Sequence, residues 1–209
     1  MSDADERLLG LFPLGIVLLP GEVVPLHIFE ERYRKLIGER LEDGEFGIVL
    51  VQEDSVRECG TAARVVELIE ELDDGSMNVL VQGDRRFRIV EVREPADPEA
   101  EYLSAEVEYF RDAEPDASPK LGEAILDLFR AMLSLMDVEV PEEPPGEGPL
   151  SFRIAAAVDF GAQIKQELLE SLSEEQRLET LLTVMTTLLP RLELRKDREE
   201  AIRGNGKGY

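Results

Sequence analysis

Few residues in this chain have the chemistry to catalyse anything. His27 and Cys59 are the only imidazole and the only thiol among 209 residues. As a pair they would be a base and a nucleophile, but neither a nucleophile elbow nor a third, orienting residue is present around them. His27 is expected on the surface or at the rim of a sheet, and Cys59 as a small packing residue before a turn at Gly60. One His, one Cys and scattered carboxylates give no ligand spacing, so neither a metal nor a cofactor is expected. The tail Gly204-Asn205-Gly206-Lys207-Gly208-Tyr209 has the glycines and lysine of a phosphate loop. A glycine follows the lysine where serine or threonine is needed, and no strand and helix frame it, so a frayed terminus is expected instead.

The remaining candidate chemistry is basic: Arg85, Arg86 and Arg88 cluster in an otherwise acidic chain. Asp and Glu number 46 against 23 Lys and Arg, a formal charge of -23, which opposes nucleic-acid backbones and anionic membranes. Arg86 and Arg88 also alternate with Phe87 and Ile89, as a half-buried strand does without any ligand. The lone cysteine excludes an intramolecular disulfide, and the acidic start Met1-Ser2-Asp3-Ala4-Asp5-Glu6 lacks the basic region of a signal peptide. The apolar run from Leu11 to Pro20 is too short to span a bilayer. A cytoplasmic protein without a membrane segment and without enzymatic activity is expected.

The elements that must position these residues begin with the stretch Leu11 to Tyr33. The run Leu14 to Leu19, bounded by Pro13 and by Pro20-Gly21, suits a strand covered on both faces. Pro20-Gly21 suits a tight turn. Val23 to Ile28 is expected as an edge strand, or one carrying a bulge at Pro25, because proline cannot donate to a ladder. A helix is predicted from Glu30 to Leu41, and strands over Phe46 to Gln52 and Thr61 to Leu72. Asp73-Asp74-Gly75 before Met77 marks a β-hairpin. Gly83-Asp84 is read as a further turn, and Tyr102 to Phe110 as a last strand. Short strands joined mostly by turns, with one helix among them, suggest a closed or nearly closed barrel.

Composition changes at Ser118-Pro119, a good N-cap followed by proline at the first helical position. Leu121, Ile125, Leu128, Phe129, Met132, Leu133 and Met136 then form one apolar face. Asp137 to Pro149 is a surface loop. Ser151 is expected to cap a short helix, Ala162 to Leu172 forms another, and Ser173 to Gln176 reads as a capping box. The helix it opens is expected to kink or break at Pro190 and to continue as a solvated, charged extension from Arg191 to Arg203.

Taken in order, several pieces resemble one family: L-F-P-L, L-L-P-G, V-V-P-L, I-F-E and R-Y within Leu11 to Tyr33, then Cys59-Gly60-Thr61-Ala62, Asp74-Gly75, and Gly83 through Ile89. Lys165 to Glu170 and Arg177-Leu178-Glu179 continue the pattern. Together they are similar to the N-terminal, substrate-binding domain of the ATP-dependent Lon protease, over nearly the whole chain. The resemblance implies an α+β fold, with a PUA-like, mainly antiparallel β-barrel carrying one inserted helix over residues 1–116. A C-terminal α-helical bundle with a charged extension would follow over 117–209. It also implies a stand-alone version lacking the ATPase and Ser-Lys peptidase modules.

The function expected from the residues and the resemblance together is non-catalytic binding of unfolded or extended polypeptides, with a protease or chaperone as a further partner. Pro20, Pro25, His27 and Phe29 are the contacts to expect beside an open strand edge, and Arg86 the acceptor of a peptide carboxylate. A regulatory or scaffold role for the helical half, and an RNA-binding role disfavoured by charge, are the alternatives.

Overall fold

The computed structural model describes residues 7–42, 44–53, 55–95, 101–113 and 117–205. Among these residues six strands and five helices make an α+β fold. The strands are β1 (Arg7–Leu14), β2 (Val23–Ile28), β3 (Phe46–Gln52), β4 (Ser55–Glu71), β5 (Met77–Arg93) and β6 (Ser104–Tyr109). Helix α1 (Glu31–Gly38) follows β2, and α2 (Pro119–Leu135), α3 (Leu150–Ala157), α4 (Ala162–Glu170) and α5 (Glu174–Asn205) complete the chain.

The sheet is mixed. Its order is β2-β5-β4-β3-β1-β6, all pairs antiparallel except β1 with β3, and β6 pairs again with β5. Pairing therefore returns to its starting strand through β5-β4-β3-β1-β6, and a buried cluster of Leu9, Leu11, Val49, Ala62, Phe87, Ala105 and Val107 draws on all five of those strands. Phe87 fills this space because Gly47 and Gly60 face it. A Cβ built on either glycine would lie 2.7 Å from the tip of the ring. Gly60 is thus a strand residue, not the expected turn.

Strand β5 can serve both the ring and β2 because it is 17 residues long. Val23–Ile28 pairs with its first part, Met77–Gln82, while Phe87–Arg93 pairs with β6. Gly83-Asp84, expected as a turn, lies inside this strand. The glycine is needed for a different reason: a Cβ at Gly83 would come within 2.3 Å of the Leu19 carbonyl oxygen. The backbone of Leu18-Leu19 presses on the sheet there, and the Leu18 carbonyl accepts a hydrogen bond from Thr61 Oγ1 at 2.6 Å.

The run Leu14 to Leu19 is consequently not the predicted strand. The strand lies earlier, at Arg7–Leu14, and Val17, Leu18 and Leu19 form a buried irregular segment. Its polar backbone is satisfied locally, with Leu19 N–H donating to the buried Glu22 carboxylate at 2.9 Å. The Asp73-Asp74-Gly75 hairpin is present, with Gly75 at φ 78° and Glu71 opposite Met77.

In the second half Pro119 opens α2, although the Ser118 hydroxyl makes no capping bond. Ser151 sits inside α3 instead of capping it, because its hydroxyl is drawn to Glu174 and Arg177. The capping box before α5 is one-sided, Gln176 N–H reaching Ser173 Oγ at 3.4 Å. Pro190 lies inside α5 and does not end it. The helices share one core with the β half: Ile125, Phe129, Phe152, Leu168, Leu181 and Met185 pack with Val17, Leu19 and Leu50. The charged extension is tied back by Lys196, which donates to the Ser134 carbonyl at 3.0 Å and pairs with Asp137 at 2.8 Å. Residues 206–209 of the glycine-rich tail, and 114–116 at the expected domain boundary, lie outside the described residues.

Candidate functional site

Among the described residues strand β2 ends the sheet and pairs with β5 alone. The Gly83 N–H donates to the Glu22 carbonyl at 2.9 Å, which fixes the alternation that follows. Val24, Leu26 and Ile28 turn their backbone groups toward β5, and Val23, Pro25 and His27 turn theirs away. The open edge therefore offers N–H groups at Val23 and His27 and carbonyls at all three positions. The proline nitrogen falls on the open side, where its missing hydrogen leaves the ladder intact.

The sheet here has two unlike faces. Toward α1, Ile28, Met77, Val79 and Val81 pack with Tyr33, Leu36 and Ile37, with Val24, Leu26 and Val65 partly buried beside them. The opposite face carries three cross-strand rows: Val23–Gln82–Arg64, Pro25–Leu80–Glu67 and His27–Asn78–Glu70. Side-chain bonds confirm the outer two, Arg64 to Gln82 at 2.9 Å and His27 Nδ1 to Asn78 Oδ1 at 2.8 Å. Phe29 follows, 65% exposed, its ring stacked on His27 with centroids 5.9 Å apart. Pro25, His27 and Phe29 thus share one exposed strip.

Pro20 and Arg86 lie elsewhere, in a cleft of about 470 Å³ with Tyr109, Phe110, Pro149 and Phe152. Arg86 is only 5% exposed, and its guanidinium is committed. It donates to Asp112 Oδ1 at 2.5 Å and to the carbonyls of Leu169 and Ser171 at 3.0 and 2.5 Å, over the ring of Phe110. Arg86 is therefore corrected from a free carboxylate acceptor to the holder of an internal one. Arg177, 0% exposed, takes the same carboxylate in a fork, at 2.7 and 2.6 Å. It also bonds Glu174 and Ser151. Burial pushes the Asp112 carboxyl up, but the hydrogen bonds and charges of Arg177 and Arg86 outweigh it and hold the group below the usual carboxylate range.

Cys59 is buried, and burial pushes its thiol up against the opposing pull of Arg88, the reverse of what a reactive thiol needs. Cys59 and His27 are not brought together: His27 lies on the outer face of β2, Cys59 on β4 opposite Arg88. Among the described residues no group of three or more His, Cys, Asp or Glu could hold a metal ion, and no helix is long and apolar enough to cross a membrane. Asn78, Leu80 and Asp112 are not singled out by the sequence, and Arg177 enters it only within the family resemblance. Asn78 and Leu80 meet β2 from about fifty residues away, and Asp112 meets Arg177 across a separation of 65, so no local pattern announces them.

Fold and site define an α+β domain with an open sheet edge and, apart from it, an aromatic-lined cleft. The comparisons place it more narrowly. The family model for the ATP-dependent protease La (LON) substrate-binding domain matches residues 9–187, and the chain belongs to that family. Similar proteins include Lon protease 2 of Myxococcus xanthus, 29% identical over 95% of this chain, and the Lon protease of Flavobacterium johnsoniae, 26% identical over 93%. The chain spans about a quarter of those relatives' length, 26% in both. Among solved structures, the Lon N-terminal domain protein of Xanthomonas campestris matches with TM-score 0.67 at 27% identity, covering 85% of this chain and 98% of that one. The N-terminal domain of the Mycobacterium avium complex Lon protease matches with TM-score 0.62 at 20% identity over 86% of this chain and 98% of that one, a likeness of fold.

Proposed function

We propose that this chain is a non-catalytic polypeptide-binding domain that docks unfolded or extended segments along the open edge of β2, with Pro25, His27 and Phe29 as contacts; Pro20, in the separate Arg86 cleft, is not among them. The observation that carries the proposal is the outward-facing backbone of Val23, Pro25 and His27, flanked by exposed apolar side chains. A guest strand there pairs with the free N–H and C=O groups and covers Val23 and Phe29. Membership of a substrate-binding family supports the same reading.

The closed ring of strand pairings supports a PUA-like β-barrel, and the shared core of α2 to α5 supports a helical bundle packed on it. The proposed division falls between residues 116 and 117. A cytoplasmic setting, and a protease or chaperone that receives the bound segment, belong to the same proposal.

The test is fluorescence anisotropy with a labelled, permanently unfolded peptide. Saturable binding that weakens at least tenfold in Phe29→Ala, an effect of about 1.4 kcal/mol, is the expected result. No binding at high micromolar protein, or equal binding by Phe29→Ala and His27→Ala, removes the site.

A further inference from the structure

Three polar side chains in one cross-strand row, His27, Asn78 and Glu70, form a chain whose hydrogen directions can be deduced. The Glu70 carboxylate only accepts, so Asn78 turns its amide nitrogen toward it, Nδ2 to Oε2 at 3.4 Å. Asn78 Oδ1 then faces His27 Nδ1 at 2.8 Å and also only accepts. The neutral imidazole must therefore carry its proton on Nδ1. Its Nε2 is left as a lone-pair acceptor on an exposed face, with the ring braced against Phe29.

We infer that Glu70 and Asn78 are positioning residues that orient the chain's one histidine as a pH-sensing contact of the β2 site. This rests on the polypeptide-docking proposal above. In the neutral state Nε2 accepts a hydrogen bond, and the strip of Val23, Pro25 and Phe29 around it bears no charge. Protonation turns Nε2 into a donor and places a positive charge where an apolar guest must exclude water, which opposes binding. A carboxylate on the guest reverses the sign, because the new charge then has a partner. The charged groups around His27 are Glu70 and Glu67 on β4, Arg64 two rows away on the same strand, and the Glu30–Arg32 pair beyond Phe29. His27→Gln is the control that assigns any response to the imidazole.

Two measurements test this. Nitrogen-15 NMR of the single imidazole, with no guest present, reads the tautomer directly. The expected form is Nδ1–H in the wild type and Nε2–H in Glu70→Lys, where a donor at position 70 turns the Asn78 amide over. A wild-type Nε2–H form, or no change in Glu70→Lys, overturns the positioning. Peptide affinity at about pH 5 and about pH 8 reads the gating. An uncharged apolar peptide is expected to weaken about threefold to fivefold on acidification, the effect of roughly 1 kcal/mol between a charge and its surroundings near a wet surface. The same peptide carrying one glutamate tightens, and both become flat in His27→Gln. Unchanged affinities, or the same response in His27→Gln, overturn the gating. Absence of binding by either peptide at every pH removes the docking site itself, and leaves the tautomer result to decide the positioning alone.

Discussion

Arg86 and Arg177 hold the same carboxylate from two different elements. Arg86 reaches Asp112 from β5 and Arg177 reaches it from α5, both guanidiniums buried and the carboxylate partly so. Stacking on Phe110 and Phe152 and bonds to the carbonyls of Leu169 and Ser171 complete their coordination. The sheet and the helices are thereby joined through one residue in the segment after β6. Such a cluster contributes less than its contacts suggest while intact, but losing one member leaves charge buried without compensation.

Asp112→Ala is expected to destabilise the fold by about 3 to 5 kcal/mol, since the buried Arg86 would lose its carboxylate partner and Arg177 would be left with Glu174. Urea denaturation monitored by circular dichroism checks it. A loss under about 1 kcal/mol would mean that water reaches the guanidiniums and replaces the carboxylate.

The same residue sets an acid limit. Its carboxyl is held below the ordinary range in the folded state, so its contribution is fully present above the unfolded value near pH 3.9. The contribution is lost as pH falls from there through the lower folded value. Thermal midpoints of wild type and Asp112→Asn should converge below about pH 4 and stay apart at neutrality. A gap independent of pH would show that the carboxylate charge contributes nothing.

Gly83→Ala tests the contact between β5 and the irregular Leu18-Leu19 segment. The added methyl would sit 2.3 Å from a backbone oxygen, which cannot yield as a side chain tip does. A loss of about 1 to 3 kcal/mol is expected, the range for overpacking a close contact. Gly15→Ala, with nothing within 4 Å of the new Cβ, is the control and should be nearly neutral.

Pro25→Thr restores the missing donor on the open edge of β2. Free edges pair with one another when nothing blunts them, so this variant should associate with rising concentration while its fold remains unchanged. Size-exclusion chromatography with light scattering measures the mass. A strictly monomer-like concentration series for the variant would mean that the edge is shielded by something other than the proline.

Local rules were enough for much of the fold. Asp74-Gly75 announced its hairpin, Pro25 its edge strand and Ser118-Pro119 the start of a long helix, because each acts through its own φ or its own missing donor. Gly60 and Gly83 misled for a shared reason: a glycine that allows a turn and a glycine that admits another backbone or ring look alike in sequence. The run Leu14 to Leu19 misled similarly, since burial on all sides leaves no period to separate a strand from an irregular core segment.

The amino-acid order by itself determined the helical and strand-forming stretches, the acidic surface and the exposed, proline-marked strip that became the candidate site. Only the tertiary structure decided what Arg86 does and what His27 touches. Arg86 was one basic residue in a strand until Asp112 and Arg177 arrived from other elements to consume its hydrogen bonds. His27 was an isolated imidazole until the β2–β5–β4 register set Asn78 and Glu70 in its row. Side-chain character is local, whereas protonation, orientation and availability depend on neighbours that only folding brings within hydrogen-bonding distance.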